Sequence, residues 1–489
     1  MNDFVFSLML LGALGSSDGS LPFWETSNRY GLMPESNGAL ALVQAYRPFD
    51  EGKTFQWRWE ASFAANYYEN AILPQAPKAH MMVDELYLSG RWKMFTVDAG
   101  MKHDELDFLS PGGLGSVSMS GGHIISSGNA RSMPGYRITL DPVPIPLTFK
   151  RVWLYGAFGD YRTLDTRFMQ DALIHRTKFF LRFVFSDRLD FNLGLDHYAL
   201  WGGHNDAVAP MNINLENYIR VIFGMHGGSD GTFSDRMNVI GDHGGGEQMR
   251  FNWRGDGYKI VLQHDIPYSD GSGMGLQNFP DGINTIFFGW DDKDRWVSDI
   301  AYEYSYTMYQ SGPFHQESFD ENGNSTTPKG ASTTGGDNYF NNGAYRSGWS
   351  YYGRMICAPL FFPVGTRAGT WTGAAIAKGT ENNRFTSHHL GIAGKLFRKA
   401  PYRLMLTYSA DYGTYHATYK GESQWGKEWG TVKETPLYQV SGAFEGTVPF
   451  VLNCGKTPLS LDLVYGVFAD RGQVLPDQFG VTAGLRLSL

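Results

Sequence analysis

The sequence has few cysteines and no long hydrophobic run. Only Cys357 and Cys454 occur among the 489 residues, and they match no metal-binding or redox spacing. No apolar stretch approaches the roughly 20 residues of a transmembrane helix, and the mean hydropathy is -0.30. These absences exclude a helical membrane protein and a disulfide scaffold, and they leave open whether the two cysteines pair.

Charge is scarce as well. Charged residues make up 18% of the chain, against about 25% in an average soluble protein. The net charge of -8 gives no basic footprint for phosphates, which argues against a nucleic-acid partner. Aromatic residues reach 15% and glycines number 60, so strand-forming and turn-forming residues dominate.

Alternation of apolar with small or polar residues recurs along the whole chain. In residues 479–489 the apolar side chains share one face of a strand up to the last letter. Similar runs occupy residues 188–200, 296–308, 401–412 and 458–470. They are about ten residues long, as tilted membrane strands are, whereas soluble sandwiches use about five or six. We count about 16 to 19 such segments, a number at which an antiparallel sheet closes or splits.

The pattern predicts an all-β fold: one large antiparallel transmembrane β-barrel over residues 1–489, whose last strand closes on the first. The start of the chain has two interpretations. It is either a first strand or the remnant of a signal peptide cut near Gly15, and the first basic residue is Arg29.

Two stretches interrupt the alternation. Residues 201–249 contain a helix candidate from Leu215 to Met225, with Asn212 or Asn214 as N-cap. Residues 310–346 are rich in Ser, Thr, Gly and Asn and are predicted to form a polar loop. We expect short helical inserts to plug the barrel.

Short sequence matches to catalytic motifs occur, but the structural context that the motifs require is absent from the predicted elements around them. GSSDG at 15–19 and GGSDG at 227–231 fit G-x-S-x-G but lack the strand, elbow and helix that a nucleophile needs. His388 and His389 are adjacent and therefore face opposite sides of a strand. The sequence predicts a non-catalytic protein without cofactor or metal.

The segment RTKFFLRF at 176–183 places Arg176, Lys178 and Arg182 on one face, which we expect to line the lumen. Two interpretations remain open. The three cations either pair with inward acids of other strands or form a patch that binds a polyanion. The candidate acids are Asp190, Asp196, Asp299, Glu303 and Asp462.

Aromatic and charged residues cluster in two predicted loops, residues 413–430 and 366–373. Flat rings beside hydrogen-bonding groups suit sugar faces, although tryptophans near strand ends also form interfacial belts. The candidate carbohydrate-binding residues are Trp371, Arg367, Tyr415, Tyr419, Lys420, Trp425, Lys427 and Trp429.

Six segments together resemble a known family. They are LPFWETSNRYG (21–31), SSGNARSMP (126–134), LDHYALWGG (195–203), DGSGMGLQNFPDG (270–282), YFNNGAYRSGWSYYGR (339–354) and LTYSADYGTY (406–415). In this order they resemble the Wzi-type capsule-assembly proteins of the bacterial outer membrane, in the version found in Bacteroidetes-like bacteria. Cys357, where a small residue is expected, and a terminal Leu in place of an aromatic residue depart from that pattern.

The resemblance implies a monomeric outer-membrane barrel of about eighteen strands with helical material on its periplasmic side. It also implies a lectin-like protein that attaches capsular polysaccharide to the cell surface. A porin or substrate-specific channel is the alternative, since the same barrel with a polar lumen could conduct. Counting strands back from a periplasmic C-terminus predicts that residues 413–434 and the short turn 186–188 lie outside the cell and that the insert 201–249 lies on the periplasmic side.

Overall fold

The computed structural model describes most of the chain. The described residues are 4–16, 20–34, 36–68, 79–208, 211–228, 239–269, 276–312, 337–364, 366, 379–415, 418–422, 432–454 and 457–489.

Eighteen antiparallel strands form one sheet. They are β1 (Val5–Gly15), β2 (Gly38–Arg47), β3 (Phe55–Tyr68), β4 (Ala79–Trp92), β5 (Phe95–Met101), β6 (Pro134–Pro144), β7 (Val152–Arg162), β8 (Leu173–Val184), β9 (Leu189–Trp201), β10 (Asp242–Gly255), β11 (Tyr258–Tyr268), β12 (Gly282–Trp290), β13 (Asp299–Tyr306), β18 (Arg384–Leu396), β19 (Ala400–Gly413), β20 (Leu437–Cys454), β21 (Thr457–Gly472) and β22 (Gln478–Ser488). Two small hairpins lie between β13 and β18: β14 (Ser350–Tyr351) with β15 (Arg354–Met355), and β16 (Phe362–Pro363) with β17 (Thr380–Asn382). The helices are α1 (Phe23–Thr26) and α2 (Leu215–Ile222), with one 3-10 turn at Pro111–Gly113.

The sheet closes into a barrel through its first and last strands. β1 pairs with β2 on one side and with β22 on the other, with Leu10 opposite Leu485. The predicted barrel, its strand count and its terminal seam are therefore confirmed. Residues 5–15 form a complete strand, as the first of the two interpretations of the chain start expects.

The two ends of the barrel differ. At one end, which we call the turn end, lie Val5, Ser488 and short hairpin connections such as 93–94, 185–188 and 256–257. At the other, which we call the loop end, the long connections begin and end, including those from β5 to β6, from β9 to β10 and from β13 to β18.

The outer wall carries an apolar belt. Because successive side chains point to opposite faces, each strand contributes alternate residues to the exterior. Exposed apolar side chains come from strands all around the barrel: Leu10, Val43, Phe63, Leu88, Val97, Ile138, Phe179, Leu193, Phe251, Leu262, Ile286, Ile300, Leu390, Leu406, Val440, Leu463 and Leu485. Such a continuous belt is the surface that a membrane barrel presents to lipid. Within the part of the chain that the structure describes, no helix is both long and apolar enough to cross a membrane.

Connecting segments fill much of the loop-end half of the lumen. Large aromatic side chains from these segments, Trp24, Tyr339, Trp349, Tyr351 and Phe361, are at most 3% exposed and pack in one apolar cluster. Cys357 is a free, fully buried thiol in the same cluster. The side chain of Cys454 lies outside the described part of the chain.

The plug is built differently from the prediction. Helix α2 begins at Leu215 with Asn214 as its N-cap, whose side chain accepts a hydrogen bond from the backbone of Asn217, as expected. It lies against the outer wall, however, and the lumen is filled mainly by irregular segments. Local sequence determines that a helix forms and where it is capped, whereas strand register determines the side of the wall on which it packs.

The predicted sidedness of the insert is also corrected. The connection from β9 to β10 and the connection from β19 to β20 both begin and end at the loop end, whereas the turn 185–188 lies at the turn end. The reason is the strand count: six barrel strands, β10 to β13, β18 and β19, separate the two long connections. An even number of crossings returns the chain to the same end.

Candidate functional site

The segment between β5 and β6, residues 102–133, crosses the lumen and is held by the wall on many sides. We call it the lumen segment. Its sequence is rich in Gly and Ser and lacks strand alternation, so it can follow the inner wall closely. Glu303 accepts hydrogen bonds from the Ser118 and Ser120 hydroxyls at 2.7 Å each, and Asp265 accepts one from the Ile124 amide at 2.7 Å. Four further side chains of the wall donate hydrogen bonds to backbone carbonyls of the lumen segment. Gln248 and Gln263 donate to the Gly122 carbonyl. Arg403 donates to the Ser116 carbonyl, and Arg486 donates to the Gly112 carbonyl.

The inward charges pair with one another, as one of the two interpretations of the basic cluster expects. Arg176 forms a two-pronged ion pair with Asp196, with distances of 3.0 and 2.7 Å, and a third contact with Asp104 at 2.7 Å. Arg182 contacts Asp190 at 2.8 Å, and Lys178 lies 3.9 Å from Asp196. The candidate acids Asp299, Glu303 and Asp462 also face inward and have partners. The three cations are therefore neutralised by neighbours in this structure.

A small cavity of about 50 Å³ lies between the lumen segment and the wall near the loop end. Tyrosine rings, hydroxyl groups and charged groups line it together: Tyr30, Tyr161, Tyr198, Lys102, His103, Asp104, Ser126, Ser127, Arg131, Ser132 and Arg176. Aromatic faces beside hydrogen-bonding groups suit a sugar ring, because its C–H faces are apolar and its hydroxyls are polar.

Tyr30 has an unusual backbone at this cavity. Its φ is 53°, in the left-handed region that bulky residues rarely adopt, and its amide donates to the Gly128 carbonyl at 2.6 Å. The ring stacks on His103, with centroids 3.7 Å apart. An outlier of this kind persists only when its surroundings hold it, and such outliers concentrate at functional sites.

His103 connects the cavity to two wall carboxylates. A β-bulge opposite Ser62 and Phe63 brings the neighbours Asp84 and Glu85 close to this histidine. Burial alone would lower the pKa of His103, but its hydrogen bond with Asp84 and the nearby carboxylates raise the pKa overall. The ligand atoms of the three residues lie within 4.8 Å of one another, so a divalent ion could fit. The His103 ring nitrogen Nε2 and the Asp84 carboxylate already form a hydrogen bond of 2.5 Å with each other. The His103 backbone amide donates to the Glu85 carboxylate at 2.8 Å. We therefore assign the three groups to the hydrogen-bond network of the cavity.

The predicted carbohydrate-binding residues do not form one described surface. Tyr415 is fully buried, with its ring under Arg384 at 4.2 Å and its hydroxyl on the Tyr309 carbonyl at 2.7 Å. This burial excludes the Tyr415 ring from a sugar-contacting surface. Tyr419 is half-buried and donates to Glu381 at 3.1 Å, and Lys420 is exposed. Arg367, Trp371, Trp425, Lys427 and Trp429 lie outside the described residues.

Sequence reasoning missed the cavity as a site, although one signal pointed to it. Three of the six segments that carry the family resemblance supply cavity residues, among them Tyr30, Ser126, Arg131 and Tyr198. These segments lie far apart in sequence, and only the folded lumen segment brings them together.

The closed wall, the apolar belt and the filled lumen define a plugged β-barrel of the outer-membrane type. No protein-family model and no curated protein sequence matches the chain. Among solved structures, it is similar to Wzi of Escherichia coli, described as an outer-membrane protein involved in group 1 capsule assembly and as a carbohydrate-binding β-barrel. The TM-score is 0.53 and the identity 11%, over 99% of this chain and 84% of that one.

Two further solved barrels are less similar. The outer-membrane protein OpdK of Pseudomonas aeruginosa gives a TM-score of 0.45 at 9% identity, over 100% of this chain and 99% of that one. OccAB2 of Acinetobacter baumannii gives 0.43 at 7% identity, over 100% and 98%. Likeness at these identities shows the fold alone.

Proposed function

We propose that this protein is a monomeric, non-catalytic outer-membrane barrel that binds capsular polysaccharide at its loop end and so attaches the capsule to the cell. The observation that carries the proposal is the plugged lumen with a tyrosine-lined cavity at the loop end. A barrel crossed by a segment bonded to at least six wall strands is suited to binding rather than conduction.

Two further observations support this role. The solved carbohydrate-binding barrel Wzi has the same fold. In membrane barrels, short turns usually face the periplasm and long loops the exterior, which would place the cavity end at the cell surface. Each sugar contact would be weak, and a repeating polymer would compensate through many simultaneous contacts.

Binding can be measured directly. Purified protein in detergent is titrated with capsular polysaccharide from the cells that make it, and with an unrelated polysaccharide as control. We expect saturable binding of the capsular polymer only. Equal binding of both polymers, or of neither, would contradict the proposal.

A channel is the alternative function. The lumen segment argues against it, and planar-bilayer conductance separates the two functions. We expect the inserted protein to show no steady open pore, whereas a stable conductance would favour the channel.

A further inference from the structure

Helix α2 packs on the outside of the barrel. The Tyr218 ring stacks on Trp201 with centroids 5.5 Å apart, and its hydroxyl donates to Asp160 at 2.6 Å. Asp160 is the register partner of His175. Counting in steps of two from His175 along β8 leads to Phe179, which is 47% exposed in the apolar belt. Asp160 and His175 therefore point outward, and α2 covers them.

The opposite face of α2 is apolar and exposed. Leu215, Ile219 and Phe223, spaced four residues apart, are 73%, 44% and 71% exposed. Asn217 and Val221, on the other side of the helix, are buried against the wall. Side chains at this spacing form one stripe, which we call the α2 stripe. The stripe points away from the barrel.

The α2 stripe continues the apolar belt of the same wall. Below the helix, the outward side chains of β8 and β9 include Phe179 and Leu193, both exposed. Four residues of strand span about 13 Å, which places α2 near one edge of a belt about 25 Å tall. The apolar belt of the strands and the α2 stripe therefore form one continuous apolar surface.

A second external segment has the same character. Leu276 and Phe279 are 44% and 61% exposed, and the Phe279 ring contacts His264 edge-on at 5.9 Å. His264 pairs with Met249, which itself pairs with the exposed Leu193, so this histidine also faces outward. Residues 276–279 thus cover the outer wall at the loop end, as α2 does.

We propose that α2 is an interfacial helix whose stripe lies in the boundary between lipid headgroups and acyl chains at the loop end of the barrel. Amphipathic helices bind there by placing an apolar face a few ångströms into the acyl region. The neighbouring Glu216 and Arg220, an ion pair at 2.5 Å, suit the headgroup side. The helix also shields the outward Asp160 and His175 from the hydrocarbon.

Site-specific quenching tests this inference. A fluorophore is attached to single cysteines at Leu215, Ile219 and Phe223 in a Cys454→Ser background, where the buried Cys357 is inaccessible to the label. Each variant is reconstituted in phosphatidylcholine–phosphatidylglycerol vesicles. The quenchers are lipids with a nitroxide at carbon 5 of the acyl chain, and iodide on both sides of the membrane. Matched controls carry the label at Glu216 on the polar side of α2, at Phe179 in the belt and at Asp256 in a turn-end hairpin.

For each label we take the ratio of quenching by lipid nitroxide to quenching by iodide. We expect this ratio to be at least threefold higher at the three stripe positions than at Glu216 and Asp256. Iodide-dominated quenching of the stripe, with Phe179 quenched by lipid, would overturn the interfacial helix and leave the proposed function intact. Protection from both quenchers would mean that a protein covers the stripe, and would also overturn it. If Phe179 itself were not quenched by lipid, both the helix inference and the membrane barrel would fail.

Discussion

At the scale of single residues, the lumen cations differ in how strongly the fold depends on them. Arg176 binds Asp196 through two hydrogen bonds, and it also contacts Asp104, which has a second cation, Arg137, at 2.8 Å. Arg182 shares its partner Asp190 with Arg254. Removal of one member of a buried pair leaves an uncompensated charge, whereas a shared partner stays neutralised.

We expect Arg176→Gln to lower the free energy of unfolding by about 3–5 kcal/mol. Arg182→Gln is the matched control and should cost less than about 1 kcal/mol, because Asp190 keeps Arg254 and Arg182 is more exposed. Thermal unfolding in detergent measures both. Unchanged stability of the Arg176 variant with lost polysaccharide binding would instead favour the polyanion-binding patch.

We expect Glu25 to make the stability of the plug depend on pH. Burial raises its pKa from the ordinary 4.5 to about 8, with Arg29 opposing and Glu445 and Asp470 adding to the rise. Between these two values the folded protein keeps a proton that the unfolded chain has released, so stability falls as the pH rises through this window.

We expect Glu25→Gln to remove this pH dependence. Relative to the parent protein, the variant should gain on the order of 1–3 kcal/mol above pH 8 and nothing near pH 4.5. Melting temperatures of both proteins across pH 4.5–9 test this difference. A constant offset between the two curves would mean that Glu25 is not protonated in the fold.

Tyr30 is the residue on which the proposed sugar contact depends most. Tyr30→Ala removes the ring stacked on His103 at the cavity, and we expect at least a tenfold loss of affinity for capsular polysaccharide, since a stacked ring contributes about 1–3 kcal/mol. Phe149→Ala is the matched control, an aromatic residue 94% exposed in a turn-end hairpin. Equal losses in both variants would place the binding surface elsewhere.

At the scale of elements, close approach of the lumen segment to the wall explains a glycine in β18. A Cβ at Gly391 would lie 1.8 Å from the Val117 carbonyl oxygen, which also accepts from His389 at 3.1 Å. No side chain fits there unless the lumen segment moves.

We expect Gly391→Ala to destabilise the protein by about 1–3 kcal/mol or more, because overpacking forces the backbone to shift. Gly442→Ala is the matched control, since a Cβ at that position would lie 3.8 Å from its nearest neighbour and has room. Thermal unfolding compares the two variants. Equal tolerance of both substitutions would show that the lumen segment does not lie against β18.

Elements differ in how far the sequence predicts them. Strand alternation at 188–200 and 479–489 predicts β9 and β22 nearly to their ends, because one face meets lipid and the other meets the lumen. The cap and start of α2 were also predictable from Asn214 and the residues after it. The position of α2 outside the wall was not predictable, because it depends on which faces of the strands remain uncovered after the barrel has closed.

At the scale of the whole molecule, the barrel was predictable and the lumen was not. The alternation of apolar and polar residues recurs in about 18 segments, so the prediction of a barrel does not depend on the correct assignment of any single strand. The lumen segment carries no period, and its path follows from contacts such as Ser118 with Glu303, which lie 185 residues apart in sequence. That the inward charges pair could be expected, because a buried charge without a partner is costly. Which residues pair could not be predicted, because it depends on the register between neighbouring strands.

Attachment of the capsule by this protein is tested most directly by the distribution of capsule after the gene is deleted. Polysaccharide is quantified in the cell-bound and culture-medium fractions of the deletion strain and of the same strain carrying the gene. A tether predicts that intact polymer moves into the medium and returns to the cells on complementation. Unchanged cell-bound capsule in the deletion strain, or loss of polymer from both fractions, would contradict the account.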